Sequence, residues 1–221
     1  MQRVQIETQC LEACRRLAGK GFLNTPGDSF SMRIPGNMEM ILVSGLEDWR
    51  KIGRTDLHSV SLLSTSGLGR LHALIYRERT DAGAVVVSSP KGARLLARLG
   101  GLLPAIFDEQ VRHIGSSVGP LPDQENADGE MIRKTFRHGA NAALLGERLL
   151  CLGMTCERVV FNTELYEKCA QAYVIAKASG HRIGFIPIWV RLIANRRLLK
   201  DEQRAAASYR NGFIPEGINA Y

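Results

Sequence analysis

The sequence lacks several features that would assign a class directly: long apolar runs, paired cysteines and abundant aromatic residues. No apolar run approaches the roughly 18 residues of a membrane-spanning helix, so we predict no transmembrane segment and no membrane partner. Aromatic residues make up only 6% of the chain and no nucleic-acid-binding module is recognisable, which makes nucleic acid a minor hypothesis. The first apolar stretch contains Glu7 and Glu12, so we expect no signal peptide.

The five cysteines are an odd number and form no CxxC pair. Cys10 and Cys14 are one helical turn apart, a spacing typical of neighbours on a packed helix face. We therefore predict that all five are reduced thiols of a cytoplasmic protein. The chain has 221 residues, of which 45% are hydrophobic and 23% charged, and this is enough for one substantial core.

The formal charge of +7 is concentrated near the C-terminal end. After residue 180, only Asp201, Glu202 and Glu216 oppose a set of cations: Arg182, Arg191, Arg196, Arg197, Lys200, Arg204 and Arg210. The same segment carries an apolar stripe at helical spacing: Ile188, Trp189, Leu192, Ile193 and Leu199. We predict a helix with a solvated basic face, whose apolar stripe packs on its own domain or on a neighbouring subunit and does not bind nucleic acid.

Hydrophobic periodicity and turn residues predict one α/β domain over residues 1–180 and a helical C-terminal extension over residues 181–221. The predicted helices cover residues 3–19, 67–79, 90–99, about 125–137 and 155–178. The predicted strands are a hairpin around Pro35 and Gly36, a short strand within 56–63, residues 83–87, and the neighbouring segments 141–146 and 148–153. The first helix places Val4, Leu11, Cys14 and Ala18 on one inward stripe, and the second places Leu68, Leu71, Leu74 and Ile75 on another.

The segment GAVVVSSPKGA, residues 83–93, predicts a strand that is buried on both faces and stops at the start of a helix. Ser89 suits the N-cap of that helix, and Pro90 suits its first position, where the missing N–H is not needed. The end of such a strand is a common place for an active site. Ser88 and Lys91 are therefore possible polar site residues, and His72 is a third.

Several blocks, in this order, resemble the class II aldolase/adducin family over about residues 3–180. GDSFSMR resembles the family's Gly-Asn-x-Ser-x-Arg block, and ILVSG resembles its Thr-Pro-Ser-Gly strand end. STSGLGRLHALIYRERTDAGAVV resembles its Ser-Ser-Glu helix leading into the central strand, and ALLGERLLCLG its Asn-His-Gly strand pair. The resemblance implies a three-layer α/β/α fold with a central, mainly antiparallel sheet. It also implies a homo-oligomer, commonly a four-fold symmetric tetramer, with residues 83–101 near a subunit boundary.

Enzymes of this family hold a divalent metal ion, often zinc, with two histidines at the end of the central strand and a third from the later strand pair. The resemblance places these ligands at Val87, Ser89 and Arg148, and the family's catalytic glutamate at Gly67. Valine cannot ligate a metal ion, neutral serine is a poor zinc ligand, arginine repels a cation and glycine offers no base. We therefore predict a divergent member that lacks the metal centre and has no cofactor.

The remaining histidines offer no replacement site by their spacing, because no HxH or HxxxH pair occurs. The family usually has a histidine at His72 without using it as a ligand, and we expect His72 to be hydrogen-bonded and partly buried. His58 and His113 are expected to be surface or satisfied polar groups, and His138 and His181 neighbour glycines at element ends.

The resemblance preserves the anion-binding side of the site better than the metal side. The positions that match the family's phosphate- or carboxylate-binding groups are Ser29, Ser44, Gly45, Thr65 and Ser66. Short hydroxyls and open backbone amides suit an anion, and Arg148 would add a cation. Asp28, where the family has glycine, would disfavour phosphate unless it is paired, with Arg33 or Arg148 as candidates. The alternative is that these are turn and capping residues that serve only the fold.

Three functions remain open at this point. The one we favour is a pseudoenzyme of the aldolase fold that acts as a small-anion-binding or assembly protein. A second is an enzyme with altered chemistry that uses Arg148, Lys91, Ser88 or Ser89 in place of the metal. A third is a lyase of the aldolase or decarboxylase type, acting on a small phosphorylated sugar or hydroxy acid, and only this function would call for zinc or another divalent metal.

Overall fold

The structure is a computed structural model and describes residues 2–67, 69–121, 126–180 and 182–216, so Leu68 and His181 lie outside the described residues. Its strands are β1 (Ser29–Arg33), β2 (Glu39–Ser44), β3 (His58–Ser61), β4 (Ala84–Ser88), β5 (Leu103–Pro104), β6 (Ser117–Val118), β7 (Ala142–Leu145) and β8 (Arg148–Gly153). Its helices are α1 (Gln2–Gly19), α2 (Gly69–Glu78), α3 (Lys91–Arg98), α4 (Asp108–His113), α5 (Gly129–Thr135), α6 (Cys156–Ala178) and α7 (Ile188–Arg210). No helix within these residues is long and apolar enough to cross a membrane.

Six strands form one sheet in the order β3-β2-β1-β4-β8-β7, and every neighbouring pair is antiparallel. β5 and β6 pair separately as a two-stranded sheet. The hairpin predicted around Pro35 and Gly36 is formed by β1 and β2, and Gly36 adopts the left-handed φ of +75° that its turn requires. The predicted neighbouring segments 141–146 and 148–153 become β7 and β8.

Helices cover both faces of the sheet and bury two apolar cores. α1, α3 and α6 pack on one face, where the core includes Phe30, Val86 and Leu149. α2 and α5 pack on the other face, where the core includes Val85 and Leu150. Alternate residues of β4 point into opposite cores, as the two-residue period of a strand requires. This arrangement confirms the predicted three-layer α/β/α fold with a mainly antiparallel sheet.

Three local predictions are wrong: the N-cap at Ser89, the first helical position at Pro90 and the inward orientation of Val4. Ser89 does not cap α3, because Pro90 is the N-cap residue and the helix begins at Lys91. The Ser89 hydroxyl instead donates to the buried carboxylate of Asp28 at 2.7 Å. Val4, predicted on the inward stripe of α1, is 55% exposed because the buried face of that helix begins two residues later.

The C-terminal helix α7 packs on the rest of the chain through a face other than the predicted one. Its buried side chains are Ala194, Leu198, Ala205 and Tyr209. The predicted stripe lies mostly in solvent. Four of its members are exposed by the following fractions: Ile188 73%, Trp189 64%, Leu192 63% and Ile193 49%. The fifth, Leu199, is half-buried. Of the two predicted alternatives, packing on its own domain does not hold for these four side chains, and packing on a neighbouring subunit stays a prediction.

Ion pairs to the domain set the rotation of α7. Glu202 accepts a hydrogen bond from the buried Arg79 guanidinium at 3.0 Å, and Arg79 also pairs with Asp81 at 2.7 Å. One residue earlier on α7, Asp201 pairs with Arg112 of α4. Buried charges must be paired, so these contacts hold the acidic face of α7 against the domain. The opposite face, which carries the predicted apolar stripe, then points outward.

Gly153, the last residue of β8, allows α6 to approach the sheet. A Cβ at this position would lie 2.2 Å from the backbone nitrogen and 2.7 Å from the Cα of Val159. We expect Gly153→Ala to lower the free energy of unfolding by about 3 kcal/mol, because main chain and not a flexible side chain would have to move. Gly184→Ala is the matched control, since nothing lies within 4 Å of the added Cβ. Urea denaturation measures both, and equal stabilities of the two variants would contradict this account of the close contact.

Candidate functional site

Four of the residues predicted at the site lie at one edge of the sheet: Ser29, Ser44, Val87 and Arg148. In the strand register, Ser29 of β1 lies opposite Ser44 of β2 on one side and opposite Val87 of β4 on the other. β4 and β8 pair as far as Ser88, so Arg148, the first residue of β8, lies just beyond the end of β4. Four strands therefore supply the residues of this edge.

Asp28 connects the loop before β1 to the end of β4. Its side chain is almost fully buried, and the residue is 1% exposed. One carboxylate oxygen accepts hydrogen bonds from the backbone N–H groups of Asn24 at 2.7 Å and Thr25 at 2.8 Å. The other accepts the hydroxyl proton of Ser89 at 2.7 Å. The buried charge is thus satisfied by neutral donors from both segments.

The predicted pairing of Asp28 with Arg33 or Arg148 is wrong. Within the described residues, neither arginine forms an ion pair with this carboxylate. Arg33 lies at the other end of β1 and donates to the Thr80 carbonyl at 3.1 Å. Arg148 is half-buried and donates to the Gly27 carbonyl. Its guanidinium lies against the loop backbone, since a Cβ on Gly27 would be 2.9 Å from Nη1 of Arg148.

The positions at which family enzymes carry metal ligands hold groups that do not fit a divalent cation. Val87 is 4% exposed and packs in the apolar core beside α2. The Ser89 hydroxyl is donated to Asp28, and Arg148 brings a positive charge. Gly67, at the position of the family's catalytic glutamate, lies in an exposed turn with a φ of +67°. The residues present at this edge therefore do not form the family's metal centre.

The four described histidines are dispersed over the molecule. His58 on β3 and His138 in a 3-10 turn are exposed, whereas His72 and His113 are buried on α2 and α4. The His113 ring contacts the Arg158 guanidinium, which excludes a cation from that nitrogen. Among the described residues, no three His, Cys, Asp or Glu side chains converge as a metal site would require.

His72 lies behind the sheet edge in a buried hydrogen-bonded network. Its Nε2 is 2.8 Å from the Ser29 hydroxyl and its Nδ1 is 2.7 Å from the Ser31 hydroxyl, which also contacts the Tyr76 hydroxyl at 2.9 Å. Burial lowers the pKa of His72 to about 4, so the imidazole is neutral at neutral pH, with one N–H donor and one acceptor nitrogen. The expected hydrogen bonding of His72 is confirmed, and the Ser29 hydroxyl is directed at this histidine within the core.

The other predicted anion-binding groups are accessible. Ser44 is half-buried at the end of β2, and Gly45 is exposed with a φ of +73°. Thr65 and Ser66 are exposed in the turn that precedes α2. In this turn the Ser66 carbonyl accepts a hydrogen bond from the Ser64 hydroxyl at 3.2 Å. The hydroxyls of this turn and the main chain after β2 are therefore the groups that a ligand in solution can reach.

Two further candidates lie apart from this surface. Ser88 is fully buried, and its hydroxyl has no hydrogen-bond partner among the described residues. It points to the face of α1, α3 and α6, because residues of a strand alternate. Lys91 is exposed in the first turn of α3.

The hydrogen bond between Asp28 and Ser89 was not predicted from the sequence. The turn residues 24–28 are the signal that could have indicated it.

A second concavity, a cavity of about 620 Å³, lies at the opposite edge of the sheet, between α1, the start of α6 and the end of α7. None of the predicted site residues lines it. Its walls carry three carboxylates and two guanidinium groups: Glu12, Glu157, Glu216, Arg16 and Arg33. We therefore keep the candidate site at the edge formed by β1, β2, β4 and β8.

The burial of His72 makes stability depend on pH. The folded chain lowers the pKa of this group from 6.5 to about 4, so below 6.5 the unfolded chain binds a proton that the folded chain excludes. The free energy of unfolding should fall as the pH drops from 6.5 to 4, by about 3 kcal/mol from this group.

Denaturant unfolding at stepped pH measures this effect. His72→Gln should lose this part of the pH dependence, whereas the exposed control His58→Gln should retain it. The same pH slope in His72→Gln and the native protein would show that His72 is not the group responsible.

Sequence comparison agrees with this architecture. A family model described as "Class II Aldolase and Adducin N-terminal domain" matches residues 8–174. No curated protein sequence matches the chain.

Solved structures have the same fold at low sequence identity. L-fuculose 1-phosphate aldolase from Glaciozyma antarctica PI12 has a TM-score of 0.72 and 19% identity, covering 95% of this chain and 90% of that chain. L-fuculose-1-phosphate aldolase from Thermus thermophilus has a TM-score of 0.68 and 20% identity, covering 80% and 98%. An aldolase II superfamily protein from Pseudomonas syringae has a TM-score of 0.68 and 17% identity, covering 97% and 96%. Together with the family match over residues 8–174, the layered fold and the ordered strand edge lead to one conclusion: the chain belongs to the class II aldolase and adducin family.

Proposed function

We propose that this chain binds a small anion at the edge formed by β1, β2, β4 and β8, without a resident divalent metal ion. The observation that carries the proposal is the replacement of the family's metal ligands by Val87, Ser89 and Arg148. An apolar side chain, a hydroxyl already donated to Asp28 and a guanidinium together do not suit a divalent cation. A carboxylate or phosphate is the kind of ligand that a guanidinium recognises.

Arg148 is the main recognition group in this proposal. A guanidinium has five N–H donors in a planar fork, so it can bond to the Gly27 carbonyl and to an anion through different N–H groups. The exposed hydroxyls of Thr65 and Ser66 and the main chain at Gly45 supply neutral donors on the accessible side. Charge-assisted hydrogen bonds are about twice as strong as neutral ones, which makes Arg148 the dominant contact.

The affinity for the anion should be modest. Family enzymes bring a dication to this pocket, and the single charge of Arg148 replaces only part of it. We expect a dissociation constant in the millimolar range, which corresponds to about −4 kcal/mol. Such a site suits a protein whose role includes assembly, and the family description covers adducin domains as well as aldolases. We accordingly propose a homo-oligomer, with a tetramer as the expected size.

A carbon–carbon lyase is the second candidate, favoured by the likeness in fold to solved structures whose titles name L-fuculose 1-phosphate aldolases. Here such a reaction would require residues other than the family's metal ligands. Ser88 is buried away from the accessible surface, and Lys91 lies in solvent at the start of α3. Arg148 remains as the group that could stabilise developing negative charge.

Protein purified without an affinity tag should retain far less than one zinc or other divalent ion per chain, since Val87, Ser89 and Arg148 cannot hold it. Elemental analysis provides the measurement, on protein as isolated and on protein incubated with zinc and then dialysed. About one tightly held ion per chain in either sample would refute a metal-free site and favour the lyase. Cleavage of small sugar phosphates, assayed with and without added zinc, should be undetectable.

Calorimetric titration with phosphate, sulfate and small hydroxy acids tests the anion site. The native protein should bind at least one of these at millimolar concentration, and Arg148→Ala should weaken that binding by about tenfold or more through the loss of a charge-assisted contact. Arg148→Lys keeps the charge but not the planar fork and should give an intermediate affinity. Equal binding by the native protein and Arg148→Ala, or no binding at all, would mean that these residues serve only the fold.

A further inference from the structure

The outward side of α7 is apolar over its first two turns and basic over the turns that follow. We call this side the α7 surface and define it by its exposed residues: Ile188, Trp189, Leu192 and Ile193 in the apolar part, and Arg196, Lys200 and Arg204 in the basic part. We propose that the α7 surface binds the face of an anionic lipid bilayer. The proposal is independent of the anion site at the sheet edge.

The apolar part of the α7 surface is contiguous. Its four large side chains lie within two successive turns and are between 49% and 73% exposed. Single exposed hydrophobic residues are normal on a protein surface, but a group that includes a tryptophan marks an interaction site. The opposite side of α7 is buried against the domain through Ala194, Leu198 and Ala205. The apolar group is therefore available to a partner.

The basic part continues the same side of the helix. Leu192, Arg196 and Lys200 are spaced four residues apart, which places them on one side over a length of about 12 Å. The two carboxylates of α7, Asp201 and Glu202, are half-buried and pair with arginines of the domain. The charged residues that α7 exposes to solvent are therefore all cations.

The neighbouring helix α4 brings two carboxylates to one flank of the α7 surface. Asp108 and Glu109 line a cavity of about 270 Å³ between the helices, and Arg197 lines it with them. Neither Arg196 nor Lys200 lines this cavity. The carboxylates of α4 therefore lie beside Arg197, and the basic part of the α7 surface keeps its positive charge.

A bilayer with anionic headgroups matches both parts of the α7 surface. Its headgroup layer attracts lysine and arginine, and the boundary between headgroups and acyl chains accepts apolar side chains and favours tryptophan. Nucleic acid offers phosphates but no apolar layer for Ile188 and Leu192. Because Ile188, Trp189 and Leu192 are each more than half exposed, they project from the surface and a flat partner can reach them.

This contact is peripheral and needs no membrane-spanning helix. The sequence-based prediction of no membrane partner rested on the absence of a long apolar run. A short apolar group beside a basic patch gives two attachment signals that act together, and neither has to cross the bilayer.

Vesicle flotation measures the binding of the full chain. The protein should float with vesicles of phosphatidylcholine that contain about 30% phosphatidylserine, and should stay unbound with phosphatidylcholine alone, because the basic part requires anionic headgroups. Raising the salt concentration from about 0.15 M to about 0.5 M should release the protein by screening this attraction.

Trp189 reports the insertion of the apolar part directly. The chain has two tryptophans, of which Trp49 is 1% exposed and Trp189 is 64% exposed. Lipids with brominated acyl chains should therefore quench the fluorescence of Trp189 and leave that of Trp49 unchanged. Trp189→Phe should lose this quenching and still float with the anionic vesicles.

A matched pair of variants tests the apolar part. Leu192→Glu and the control Leu63→Glu change the same residue type at the same exposure, 63% in both cases, on and off the α7 surface. Leu192→Glu should weaken binding to the anionic vesicles by about tenfold or more, because a carboxylate replaces an inserted apolar side chain next to anionic headgroups. Leu63→Glu should bind as the native chain does. Circular dichroism checks that both variants are folded.

A second pair tests the basic part. Reversing the charge of Arg196 and Lys200 together, as Arg196→Glu with Lys200→Glu, should weaken binding by about tenfold or more. The control, Arg94→Glu with Lys134→Glu, makes the same change in net charge at exposed positions of α3 and α5 and should reduce binding far less. This comparison separates a local basic surface from an effect of overall charge.

The outcomes decide the proposal in either direction. Binding that requires anionic lipid, quenches Trp189 and is lost in the α7 variants but not in their controls supports it. It is overturned if the native chain does not float with anionic vesicles, or if the α7 variants bind as well as their controls. Binding of random RNA without binding of vesicles would overturn it and assign the basic part to nucleic acid. A lower mass of Leu192→Glu in light scattering, without vesicle binding by the native chain, would overturn it and assign the apolar part to a second copy.

Discussion

The antiparallel pairing of β4 with β1 on one side and β8 on the other is the constraint on which the rest of the structure depends. β4 is buried on both faces, so its residues must alternate between two apolar cores and its backbone groups must all pair within the sheet. This places the end of β4 beside the start of β1 and the start of β8. The candidate site is the edge where these strand ends meet, and its residues come from parts of the chain far apart in sequence.

The chemistry of that edge follows from how its polar groups are satisfied. In a metal site, histidines at the end of β4 would point toward a cation. Here the carboxylate of Asp28 accepts three hydrogen bonds and ties the preceding loop to Ser89, while Arg148 holds the same loop through Gly27. Ser89 and Arg148, at two of the positions where the resemblance places metal ligands, thus supply contacts that hold this loop to the strand ends.

The C-terminal helix shows how buried charges decide which face of a helix packs. Composition alone favours burying the large apolar side chains, yet α7 buries Ala194, Leu198, Ala205 and Tyr209. The ion pairs of Glu202 with Arg79 and of Asp201 with Arg112 draw the acidic side of the helix toward the domain. Leaving such charges unpaired in the interior would be more unfavourable than leaving an apolar stripe in solvent. The stripe is then free to contact another molecule.

Local patterns in the sequence were sufficient for most helices and strands of this fold. The apolar run of β4 and the Pro35-Gly36 turn predicted a buried strand and a hairpin, because strand alternation and turn chemistry act between near neighbours in the chain. The three layers were implied by the resemblance of the ordered blocks to a known family. The proposed absence of a family-type metal centre likewise rests on Val87, Ser89 and Arg148 as residue types. The partners of Asp28 and Ser89, the burial of Ser29 against His72 and the outward rotation of α7 depended on contacts between distant segments. Only the tertiary structure could decide them, since a polar or charged side chain takes the partner that folding brings within hydrogen-bond distance, and sequence spacing does not specify that partner.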